Sequence, residues 1–255
     1  FLEWIKKYQQ FHSYLSRKRT AECKEVDIPI LKFFNSLFYK DVYKNICDEI
    51  FSLIYDNFWI DYFLNNPLYQ KENWIDFESE ISLMIQSVDN DMLDNNITLE
   101  DKIKSLTNDY LNKRYIDWFV KKTYKELRNV LLYDLHRLNR ALEIYLTEYV
   151  DKMEIQKKSH DVDSLDIDHI LSFNYTKTYE RVYGSFKVLD FDYIHGKADI
   201  SNTIEKNNMV LGIDEYLPED RKNRDVEFIA FKKFYQRILK ETGCKYKEWL
   251  DEIKY

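Results

Sequence analysis

Ser172-Phe-Asn-Tyr-Thr-Lys-Thr-Tyr-Glu180 decides the fold, because within a few residues it turns an apolar run into a helix. The run, 169 to 173, is of strand length and is bounded by Asn174, and the segment 176 to 183 after it has helical spacing. A second short apolar run follows at 191 to 194 and leads into Tyr193-Ile-His-Gly196. Strand, helix, strand at this length is a βαβ unit, for which a right-handed parallel crossover is the strong default. A third run, 209 to 213, sits in Val210-Leu-Gly-Ile-Asp-Glu-Tyr216. The spacing therefore predicts a small parallel-sheet, Rossmann-like region over 161 to 255.

Upstream, the period changes near residue 160. Asp161, Asp163, Asp166 and Asp168 lack the central glycine of an EF-hand and have Leu165 where a ligand should stand, so they suit a solvated loop. Before them, apolar residues recur every three or four positions: Ile5, Tyr8, Phe11 and Leu15, then Leu31, Phe34 and Phe38 after Pro29. The pattern continues from Val42 through Ile46, Ile50, Ile54 and Phe58 until Asn65, Asn66 and Pro67 stop it. It returns over 74 to 88, over 98 to 118 and over 127 to 149. With 4 glycines and 3 prolines in 255 residues, helix breakers are scarce. The expected class is α/β but predominantly helical: a large helical region at 1 to 160, packed as a largely antiparallel bundle, then the α/β region at 161 to 255. After Pro218, Phe228, Phe231, Tyr235, Ile238 and Leu239 are again helical, with Gly243 placed as a C-terminal cap.

A 45% hydrophobic composition supplies ample core. The formal net charge of −7 argues against a protein that coats nucleic acid, and Arg17, Lys18 and Arg19 are too small a patch to change that. Cys23, Cys47 and Cys244 are odd in number and far apart, which suggests neither a disulfide framework nor a metal site and points to the reducing cytoplasm. No run of about 18 apolar residues or signal peptide is visible, so neither a membrane span nor export is expected.

In open parallel sheets, ligands bind beyond the carboxyl ends of the strands, where loops and helix N-termini offer free backbone donors. That rule puts Asn174, Thr176, His195 and Asp214 on one rim, with Gly196 beside the histidine. Gly184, Gly196 and Gly212 mark backbone positions that need positive φ or close approach. His195 suits a general base whose pKa lies near working pH, and equally a turn whose imidazole bonds a carbonyl. Asn174 and Thr176 suit ligand contact, or capping of a helix that begins near Lys177. Asp76 and Glu78 oppose the dipole in a first helical turn, with Trp74 and Phe77 on its buried face. His12, His136, His160 and His169 have no partner spacing and are expected to be structural. Four glycines in total leave no phosphate cradle, so a complete dinucleotide site is not contained in these residues.

SFNYTxTYE, YIHG and LGIDEY, in this order and spacing, resemble the AbiH family of bacterial phage abortive-infection proteins, and Trp74-Ile-Asp-Phe-Glu78 resembles a second stretch of that family. The resemblance implies a Gly-Asn-Gly-Phe-Asp segment at the start and a Gly-His-Ser-Leu segment beyond Tyr255; neither occurs here, so the expectation is a fragment lacking both edges of the site. A more distant similarity is to the sirtuin-like fold, where an Asn and a His meet over the ribose and nicotinamide of NAD. Asn174 and His195 match them, but Thr176 replaces the sirtuin aspartate and cannot supply charge beside an oxocarbenium ion. The resemblances imply a cytoplasmic defence effector with His195 and Asn174 catalytic, and NAD or a related nucleotide contacted by Asn174, Thr176, Gly196 and Asp214. The alternative is a non-catalytic defence module whose aromatic-rich helical region recognises a phage or host protein. A homo-oligomer is compatible with both, and a nucleic-acid partner ranks lowest.

Overall fold

The apolar spacing builds a helical core around one long helix. A computed structural model of the protein describes residues 1–18, 42–65, 77–93, 124–155, 158–184, 190–214 and 229–252. The helices expected over 29 to 38 and 98 to 118, together with Trp74 and Asp76, lie outside these residues. The upstream helices are α1 (Leu2–Lys18), α2 (Val42–Ile54), α3 (Phe58–Asn65), α4 (Phe77–Leu93) and α5 (Tyr124–Glu148). Along α5, Leu127, Leu131, Leu135, Leu138, Ala141 and Ile144 recur every three or four residues and are all buried. Helices α2 and α3 pack against α5, and α1 packs against α2 and α3. The same apolar cluster contains Leu211, Ile213 and Phe231, so it continues past residue 160. No strand lies among the described residues of 42–150.

The stretch expected as one helix from Val42 through Phe58 is two helices. Asp56 has φ of 51° and ends the first; Asn57 begins the second, its Oδ1 accepting from the amides of Trp59 (3.1 Å) and Ile60 (3.2 Å). Side chains of α5 satisfy the remaining loose ends. Asp134 accepts from the Phe58 amide at 2.9 Å, and Arg137 donates to the carbonyls of Ser52, Tyr55 and Asp56. Burial pushes the Asp134 carboxyl above its usual range, partly offset by the Phe58 amide and Arg137.

Downstream come α6 (His160–Asp163), β1 (His169–Ser172), α7 (Thr178–Tyr183), β2 (Asp190–Tyr193), α8 (Lys233–Leu239) and α9 (Tyr246–Glu252). The acidic segment thus includes one exposed helical turn rather than only loop. Strands β1 and β2 are parallel neighbours, His169 facing Asp190 and Ser172 facing Tyr193. The third expected strand, 209 to 213, does not join them; among the described residues its one ladder contact is an isolated parallel bridge between Ile213 and Lys232. Side chains occupy the carbonyls that a ladder would use. Met209 O accepts from Asn139 (2.6 Å) and Lys240, Val210 O from Tyr175 (2.6 Å), and Leu211 O from Gln236 (3.1 Å). Among the described residues the sheet is therefore two-stranded, smaller than a Rossmann-like sheet.

Gly243 does not cap α8. Glu241, at φ 50°, takes the left-handed position after the helix, whereas a Cβ on Gly243 would lie 2.3 Å from the Ile194 carbonyl oxygen. Its glycine is set by its own left-handed φ of 66° and by close approach to Ile194, the residue after β2.

Asn57→Ala removes a buried cap and leaves two amides without their acceptor, and is expected to lower unfolding free energy by about 1–3 kcal/mol in urea titration. A loss below about 0.3 kcal/mol would contradict this account of the α2–α3 break.

Candidate functional site

Register sets the site. Because Ser172 pairs with Tyr193, both chains leave the sheet at the same end, and Asn174 and His195 each follow two residues later. The Phe173 and Tyr175 rings flank the imidazole at 6.3 and 6.5 Å. The Ser172 hydroxyl donates to the Asn174 carbonyl at 3.1 Å and accepts from its amide at 3.2 Å, fixing the turn. The loops are joined through their backbones: the Ala198 amide donates to Tyr175 O at 2.9 Å and the Val210 amide to His195 O at 2.8 Å.

Neither Asn174 nor Thr176 caps α7. Lys177 stands at the N-cap with no side-chain bond, and Thr176 Oγ1 lies 2.8 Å from Thr178 Oγ1 instead. The Asn174 side chain is exposed and makes no hydrogen bond among the described residues. Gly196, at φ 82°, is accounted for by the protein itself, since a Cβ there would lie 2.1 Å from the Asn208 carbonyl oxygen. Asp214 is exposed, with its carboxylate 3.8 Å from Lys233 Nζ. Lys233 also donates to Glu78. Glu78, expected as a dipole-opposing charge at the start of α4, thus ties α4 to α8. Lys233 escaped the sequence because no motif marks it; only contact across 155 positions gives it a role.

His195 is half-buried, and its Nδ1 is a buried atom with no hydrogen-bond partner among the described residues. Burial pushes its pKa below the ordinary value, Lys233 and Arg237 push it further, and Asp214 opposes them. The imidazole is therefore neutral at neutral pH, the form that accepts a proton or a hydrogen bond.

The model of the family bacteriophage abortive infection AbiH matches residues 5–255. The chain belongs to the AbiH family. The match spans α1 to α9, so both the helices and the rim around His195 are parts of the AbiH chain. No curated protein and no solved structure matches the sequence. Among the described residues of this AbiH member, no helix is long and apolar enough to cross a membrane.

The lowered pKa makes a signed prediction. The unfolded chain takes up a proton near pH 6.5 that folded His195 resists, so the contribution of His195 is complete above pH 6.5 and is lost as pH falls through its folded value. NMR of labelled histidines should show His195 titrating below 6.5, lower still in Asp214→Asn. Titration above 6.5 would contradict the electrostatics described.

Proposed function

We propose that this AbiH protein is a phage-defence effector in which the end of the parallel pair binds a nucleotide, NAD or a relative, and His195 acts as general base. The observation that carries this is the neutral imidazole of His195, its buried Nδ1 without a partner among the described residues, at the same end of the parallel pair as the exposed Asn174; such orphaned polar atoms concentrate at functional sites. In this scheme His195 takes a proton from a ribose hydroxyl or a water, Asn174 orients that hydroxyl, and Asp214 with Lys233 sets the field at the rim. Thr176 is neutral and engaged with Thr178, so stabilisation of a sugar cation must come from elsewhere. The action is placed in the cytoplasm, where the nucleotide pool lies.

A second reading, a non-catalytic module that binds a phage or host protein, is favoured by exposed apolar side chains. Phe234 and Ile238 form an i, i+4 stripe on α8, and Phe173 is 65% exposed at the rim.

Phage plating and cellular NAD, compared at matched soluble protein levels, separate the two. In the intact protein His195→Ala should abolish protection, since losing a general base costs about 10² to 10⁴ in rate, and Asn174→Ala should weaken it. Full protection by well-folded His195→Ala would exclude the base and favour the binding module.

A further inference from the structure

A cavity of about 140 Å³ is lined by His136, Asn139, Ile204, Glu205, Asn207 and Lys240, and His195 is not among its lining residues. It holds several waters' worth of space and not a nucleotide. Its polar groups are set by a fixed chain of donors. The buried Glu143 carboxylate accepts from Asn207 Nδ2 at 2.5 Å, which turns Asn207 Oδ1 toward the Met209 amide (2.8 Å) and Asn139 Nδ2 (3.3 Å). Asn139 Nδ2 also donates to Met209 O at 2.6 Å, so the amide cannot be flipped without facing two oxygens with a third. Asn139 Oδ1 is left without a donor among the described residues, in a residue only 2% exposed.

Lys240 is the second unmatched group. Its ammonium donates to Met209 O but forms no ion pair among the described residues. Burial pushes its pKa down to about 8, opposed by Glu143, and burial, helped by Lys240, lowers that of His136. Of the nearby carboxylates, Glu143 is paired with Arg140, and Glu205 is exposed and accepts from the Thr203 hydroxyl. A partly buried ammonium and an amide with an unfilled acceptor, both bonded to Met209 O, call for an anion that also donates.

We propose that this cavity binds a small oxyanion bearing an O–H donor, hydrogen phosphate being the simplest, separately from the His195 rim. Its oxygens accept from Lys240 Nζ, and its O–H donates to Asn139 Oδ1. Isothermal titration calorimetry of the full chain at pH 7 with inorganic phosphate should give saturable binding, weakened at least about tenfold in Lys240→Met and unchanged in His195→Ala. Sulfate, which has no donor at this pH, should bind more weakly than phosphate. If Lys240→Met does not fold, NMR of the wild-type protein decides: phosphate should shift the His136 resonances to saturation and leave those of His195 in place. No saturable binding, equal affinity in folded Lys240→Met, sulfate as tight as phosphate, or a response at His195 alone would overturn the proposal.

Discussion

The carboxylate of Glu143, wholly buried near the C-terminal end of α5, is the constraint on which the site depends. A buried carboxylate survives only when its lone pairs are filled. Here Arg140 Nη1 donates at 2.7 Å, the Asp199 amide at 3.0 Å, and the side chains of Asn202 and Asn207 at 2.6 and 2.5 Å. Arg140 continues outward to Glu49 (2.8 Å) and to the carbonyls of Asp199 (3.2 Å) and Ile200 (2.9 Å). The loop after β2 is thereby wrapped onto α5 by polar groups, with Ile204 packed against the apolar cluster as well. A buried pair of this kind adds little net stability against an apolar alternative, yet loss of one partner costs about 3–5 kcal/mol, so its effect is to fix one geometry. From Asn207 the constraint passes to the Met209 amide, and the adjacent Val210 amide holds the His195 carbonyl.

A neighbouring face of the same helix supplies the apolar counterpart. Leu131 and Leu135 belong to one cluster with Trp59, Ile5 and Phe231, and the Trp59 indole donates to Leu131 O at 2.8 Å. Because Leu211, Ile213 and Phe231 share this cluster, the polar network and the hydrophobic core act on the same downstream segment. Helix α9 is tied to β2 in a similar way: Asp192 accepts from the Tyr246 amide (2.8 Å) and Asp190 from the Trp249 indole (3.0 Å). The two-stranded sheet is thus held on two flanks by side-chain acceptors.

Features that depend on local periodicity were legible in the sequence. The spacing of 127 to 149 became α5, and the strand–helix–strand texture of 169 to 194 became a parallel pair. Features that depend on distant partners were not. The break at Asp56 and Asn57 is invisible to hydrophobic period, because Ile54 and Phe58 keep their spacing through it; Asp134 and Arg137, some 80 positions away, stabilise it. Apolar character alone promised a third strand at 209 to 213, but strandness needs a free neighbour, and its carbonyls were already taken by Asn139, Tyr175 and Gln236. Asn174 and His195 were placed at one end of the sheet by the register of two short strands, whereas Lys233 and the Glu143 network carried no sequence signature at all.

Membership in the AbiH family ties the molecule to abortive infection, and the structure ties its most distinctive histidine to a buried carboxylate through a loop. The most direct test is amide hydrogen exchange in Glu143→Gln, which keeps the side chain's shape and removes its charge. Exchange at Asp199, Met209 and Val210 should accelerate while Leu131 and Leu135 on α5 stay protected. Unchanged protection at Val210, or a uniform loss through α5, would contradict the role given to Glu143.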